Sequence, residues 1–143
     1  MWLSGPAPRS HKKCAEIIAR HPRQVWGDLS YFTEVLANGT SHTGAVEALR
    51  SLASHPAAPN LLYGSDWIMV GQEDGADSYA TRAVSAVAEA GLPVEDFAWR
   101  AAARFLGLDR PGKPRDRLLA FHVGDPEALA ALRLFMPGLP HTT

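Results

Sequence analysis

Cysteine is almost missing from this 143-residue chain: Cys14 stands alone, so no internal disulfide framework is possible, and a reducing compartment is expected. Lysine is nearly as scarce, with Lys12, Lys13 and Lys113 the only three. Neither sign of charge is in excess. The 14 Lys+Arg against 15 Asp+Glu leave a formal charge of −1, which removes any general electrostatic pull toward nucleic acid or an anionic membrane. No run approaches the roughly 18 consecutive apolar residues of a membrane span. The segment Met1 to Pro8 lacks a basic stretch followed by an apolar core, so it does not read as a secretory signal. The expectation is a cytoplasmic, soluble chain without nucleic-acid or membrane partners. With 12 Gly, 11 Pro and 46% apolar residues, composition and length point to one globular domain rather than a fibrous or low-complexity chain.

What is present is an alternation of helical and strand-like patterns. Ser10 precedes a short helix carrying Cys14, Ile17 and Ile18 on one face, stopped by Pro22. Cys14 on that face reads as a buried thiol more than a reactive one. Gln24 to Ser30 (QVWGDLS) reads as a strand, followed by a loop to Thr43 with an Asn38-Gly39 turn signal. Thr43 or Ser41 is placed to cap a helix from about Gly44 to Ala53, with Val46, Leu49, Leu52 and Ala53 as its stripe. Asn60 to Trp67 (NLLYGSDW) reads as a second strand, whose apolar Leu61-Leu62-Tyr63 run suits a parallel sheet. A Gly- and acid-rich loop from Val70 to Asp77 leads into the strongest helix, with Ala80, Ala83, Val84, Val87 and Ala88 in phase. Gly91 fits the position just past its end, and Pro93 opens another helix that Gly107 closes. Asp109 to Arg117 reads as a surface linker, and Asp125-Pro126 opens a last helix reaching Phe135.

Two strand–helix units do not close a sheet by themselves, since independent stability takes three or more strands or a covering partner. A (β/α)8 barrel takes about 250 residues. Either further strands exist, for example around Leu118 to Val123, or the chain is the terminal part of something larger.

Three ordered pieces of the chain carry a family resemblance. Leu62-Tyr63-Gly64-Ser65-Asp66-Trp67 resembles the last barrel strand of the amidohydrolase superfamily, in its amidohydrolase-related (decarboxylase- and lactonase-like) branch. Val25-Trp26-Gly27-Asp28-Leu29-Ser30 is similar to the preceding strand, and Arg104-Phe105-Leu106-Gly107-Leu108 to the closing helix. The resemblance implies an α/β fold, the C-terminal portion of a (β/α)8 TIM-type barrel over residues 1–108, with 109–143 as linker and helical tail. It implies a metal-dependent hydrolase of C–N or C–O bonds, or a related decarboxylase, acting on a small cyclic or carboxylated compound. Its cofactor is a divalent metal, often zinc. Asp66 stands where the family's metal-coordinating, proton-moving aspartate stands, so it is both the catalytic and the metal-ligand candidate.

The sequence departs from that pattern in two places. It contains no His-x-His pair, and its six histidines show no metal-ligand spacing on one element. Arg100-Ala101 also replaces the usual Gly-Asn of the closing helix. Metal ligands would therefore come from a complementary chain or a second copy, and the alternative is a non-catalytic remnant or an oligomerising association module. His42, Trp67 and Tyr31 are substrate-binding candidates because each follows a strand on the expected substrate side. For His42 a solvated loop histidine is the plainer reading, and for the two aromatic residues packing beneath loops serves equally well. Asp28 and Ser30 share one strand face, which either points toward a barrel lumen or lets Asp28 hydrogen-bond a neighbouring strand, the structural role being the preferred one. The Glu73-Asp74-Asp77 group reads as a solvated turn, since it lacks the alternation of a calcium loop.

Overall fold

The computed structural model describes residues 10–136. Seven helices dominate it: α1 (Ser10–Arg20), α2 (Thr40–Ala53), α3 (Trp67–Val70), α4 (Tyr79–Glu89), α5 (Ala101–Phe105), α6 (Lys113–Phe121) and α7 (Pro126–Phe135). Two strands, β1 (Gly27–Asp28) and β2 (Leu61–Leu62), pair in parallel with Gly27 opposite Leu61 and Asp28 opposite Leu62. The expected parallel crossover through a helix is therefore present, but the expected barrel is not. The chain is a small helical domain with two short strands, and the reading of residues 1–108 as a piece of a (β/α)8 barrel is overturned.

The strands are short because non-ladder partners take the backbone groups on either side. Ahead of β1, the Asn60 side-chain amide donates to the carbonyls of Pro22 at 2.6 Å and Val25 at 2.9 Å. Leu29 N–H donates to Leu62 C=O at 3.0 Å, after which Tyr31 turns the chain at φ 51°. Beyond β2, Tyr63 N–H leaves the sheet and donates to the Phe97 carbonyl at 3.1 Å, in the π-helical turn Asp96–Arg100 that runs into α5. Of Leu118 to Val123, the candidate for a further strand, Leu118 to Phe121 lies in α6.

The main core joins Leu29, Phe32 and Val35 after β1 to Val46 and Leu49 of α2, Tyr79, Ala83, Ala86 and Val87 of α4, and Phe97. A smaller cluster packs Ala15 and Ile18 of α1 against Leu52, Ala57 and Leu61. Each Leu or Val buried there contributes about 1.5–3 kcal/mol of transfer free energy. The α2 stripe is as expected, although the helix starts at Thr40 behind Gly39 rather than at a Ser41 or Thr43 cap. On α4 the buried stripe is turned one position, with Tyr79, Ala83 and Ala86 inside and Ala80 and Ala88 outside. On α1, Ala15 and Ile18 are buried while Ile17 is exposed; the side chain of Ser10 lies outside the described residues.

Helix ends follow local rules. Gly91 sits at φ 80°, its N–H donating to Ala88 C=O while Leu92 N–H donates to Val87 C=O, which satisfies the last carbonyls of α4. Gly107 at φ 70° closes α5 in the same way through Gly107 to Arg104 and Leu108 to Ala103. Asp125 Oδ1 accepts from Ala128 N–H at 2.9 Å, with Pro126 opening α7 behind it. The expected linker after Leu108 instead contains most of the first turns of α6, because Pro114 falls in the opening turn, where a missing N–H costs nothing.

Candidate functional site

The parallel pairing brings the carboxyl-terminal ends of β1 and β2 side by side. Close approach there depends on Gly64: a Cβ on it would lie 2.2 Å from Ser30 Oγ. The buried Tyr79 hydroxyl ties the two chain segments to α4. It accepts from Phe32 N–H at 3.0 Å and faces the carbonyls of Leu29 at 3.1 Å and Gly64 at 3.4 Å, to which its single proton can donate. Burial pushes its pKa above the ordinary tyrosine value, with the Phe32 N–H acting in the opposite direction.

Past this clasp stand Tyr31 and Asp66, the two non-glycine residues with positive φ among those described, at 51° and 48°. A left-handed backbone is uncommon for any residue with a Cβ, and such positions cluster where side chains are aimed for function. Asp66 precedes α3 without accepting a hydrogen bond from it through its side chain, while its carbonyl accepts from Met69 and Val70 N–H at 2.8 and 3.0 Å. Asp66 is exposed, four residues past the end of β2 rather than within the strand expected over Asn60 to Trp67. The Tyr31 hydroxyl donates to Glu73 Oε1 at 2.5 Å. That hydrogen bond, with the nearby negative charges of Glu73 and Asp66, holds the Tyr31 pKa above its ordinary value.

Tyr31, Asp66 and Glu73 therefore form one electrostatic group at the ends of both strands. Glu73 had read as part of a solvated turn; its partner lies 42 positions away, and no spacing rule links them. Trp67 opens α3 with 75% of its surface exposed and lines a cavity of about 170 Å³ with Ser65, Tyr63 and Tyr79. Asp28 makes a local bond rather than one to a neighbouring strand, its Oδ1 accepting from Ser30 N–H at 3.0 Å.

His42 belongs elsewhere. It lies in the first turn of α2, not in a loop, and its Nε2 is 3.5 Å from Glu89 Oε2 on α4. The cavity it lines is shared with Asn38, Gly39, Arg82 and Ser85 and not with Asp66. Arg82 there donates from Nη1 to the carbonyls of Val35, Leu36 and Ala37 at 2.9–3.2 Å, closing the 3-10 turn Thr33–Val35 against α4.

A zinc site of the expected kind needs three or four nitrogen, sulfur or oxygen ligands converging on one point. Among the described residues no three His, Cys, Asp or Glu side chains gather so as to hold a metal ion. Asp66 with Glu73 and a phenol does not fit a divalent metal alone. None of the described helices is long and apolar enough to cross a membrane.

The class that these features define is a small helical domain built on a two-stranded parallel sheet, with an acidic and phenolic group at the strand ends. No family model, no curated protein and no solved structure matches the chain.

Proposed function

We propose that this chain contributes the proton-transferring carboxylate of an amidohydrolase-type hydrolase that becomes complete only on association with a second copy or another chain. The supporting observation is the exposed Asp66 carboxylate, four residues past the end of β2 and near enough for its charge to act on the Tyr31 hydroxyl. In this reading Asp66 accepts the proton of a water attacking a C–N or C–O carbonyl carbon and returns it to the leaving group. Tyr31 remains protonated, its O–H committed to Glu73, and offers its oxygen lone pairs to a substrate donor. Trp67 supplies a flat apolar face for a small cyclic compound. No step is assigned to the family's divalent metal, because the described residues do not form its site.

The test is hydrolysis of a panel of small lactones and cyclic amides by the purified full chain, with and without added zinc. Asp66→Asn is expected to abolish turnover while leaving the thermal unfolding curve unchanged. Equal turnover by the variant removes Asp66 from any such mechanism, and no turnover by the parent chain removes the form of the reading in which a second copy completes the site.

A second reading, the non-catalytic association module, is favoured by one observation: Trp67, Ile68 and Met69 are consecutive and exposed at 75%, 61% and 42%. Apolar surface concentrated in this way marks contact with another surface. Sedimentation of a self-associating chain that Ile68→Asp converts to monomer, without hydrolysis by either form, fits this reading. A parent chain that stays monomeric overturns it.

A further inference from the structure

A cavity of about 450 Å³ lies at the other end of the strands, away from Asp66. That size falls within the range of pockets that take small organic ligands and cofactors. Its walls combine three kinds of group that have no use in the reading above. Trp26, just before β1, packs edge-on against Phe105 at the end of α5, with ring centroids 5.8 Å apart and planes at 65°. Both rings line the cavity, so a flat heteroaromatic ring entering it meets an aromatic wall.

Arg23, Arg104 and Arg110 line the same space. Arg104 is committed to the fold: one nitrogen is 3.4 Å from Asp96 Oδ1, and the other donates to the Pro59 carbonyl at 2.7 Å. Arg23 and Arg110 are exposed, and among the described residues neither makes an ion pair or a hydrogen bond. Two free guanidinium groups at one opening suit a phosphate dianion, whose oxygens accept their paired N–H donors.

Asp109 supplies the third kind of group. Its Oδ1 is buried and has no hydrogen-bond partner among the described residues, although buried carboxylate oxygens are normally satisfied. The side chain lies in the wall between this cavity and a neighbouring one of about 230 Å³ lined by Trp99, Ala103 and Arg104. A ligand carrying N–H donors on the edge of a planar ring would meet this carboxylate where it lines the cavity.

We infer that this cavity binds a purine mononucleotide: the base lies against Trp26 and Phe105 with its N–H edge toward Asp109, and the phosphate sits between Arg23 and Arg110. Guanine, which sets two N–H donors side by side on one edge, is the base best matched to a carboxylate. The site is independent of Asp66 and stands whether or not the chain takes part in hydrolysis.

Isothermal titration of the full chain with GMP, guanosine and ribose 5-phosphate tests this. GMP is expected to bind saturably, with guanosine and ribose 5-phosphate each at least tenfold weaker. The double variant Arg23→Ala/Arg110→Ala alters two exposed side chains and is expected to lower GMP affinity to that of guanosine. Asp109→Ala is expected to weaken GMP and guanosine by the same factor while leaving ribose 5-phosphate unchanged. Absence of saturable GMP binding, GMP binding no tighter than ribose 5-phosphate, or full affinity in the double arginine variant overturns the inference.

Discussion

Replacing Tyr79 by Phe removes one oxygen from the interior and nothing else. That oxygen is the one acceptor for Phe32 N–H among the described residues and also meets the Leu29 and Gly64 carbonyls. The residue is 2% exposed, so water cannot take the place of the hydroxyl without opening the core. A buried N–H left without an acceptor costs about 1–3 kcal/mol, and the Leu29 carbonyl loses its donor as well, so we take about 2 kcal/mol. For a domain of this length that corresponds to a fall in melting temperature of about 4–8 °C. Tyr63→Phe is the internal control. Tyr63 packs on the same ring at a centroid distance of 6.3 Å, and its hydroxyl makes no hydrogen bond among the described residues. Thermal unfolding followed by circular dichroism should show Tyr79→Phe clearly below the parent and Tyr63→Phe within about 0.5 kcal/mol of it. If both variants melt with the parent, the clasp between the strand ends and α4 contributes nothing, and the account of what holds Tyr31 and Asp66 together fails.

Gly64→Ala is expected to destabilise by about 1–3 kcal/mol, because the new methyl runs into Ser30 Oγ; Ser30→Ala in the same chain should recover most of the loss, leaving the Cβ atoms of residue 30 at 3.4 Å and Asp28 at 3.5 Å. Chemical denaturation of the single and double variants decides this, and a double variant no better than Gly64→Ala counts against the contact. Burial raises the pKa of Tyr79 above its unfolded value of 10.0, so the folded chain holds that proton longer than the unfolded one. The stability it contributes is complete below pH 10 and is lost as pH rises through the folded value. Unfolding free energy measured across this alkaline range should fall, and fall less steeply in Tyr79→Phe. Asp125→Ala removes the acceptor for Ala128 N–H and should cost about 1 kcal/mol, read as earlier loss of α7 protection in hydrogen exchange with the rest of the domain unaffected.

Local chemistry was legible without coordinates. Gly91 and Gly107 end their helices in the left-handed conformation that glycine adopts without a Cβ penalty, and Asp125-Pro126 starts α7, because each needs only neighbours a few positions away. The pairing partners were legible too: Leu61-Leu62 and the Trp26-Gly27-Asp28 stretch announce parallel strands separated by a helix. The extent of the sheet was not. Asn60 reaching Pro22 and Val25, and Tyr63 N–H turning to Phe97, are decisions between groups more than 30 positions apart, and they cut each strand to two residues. The expected barrel failed there, since apolar runs report burial and not how many strands share it. Tertiary structure alone joined Glu73 to Tyr31, moved His42 to Glu89, and set Arg23 and Arg110 around the cavity beside Trp26. Hydrogen-bonding capacity is written in each residue, but which partner satisfies it is settled by packing across the whole chain.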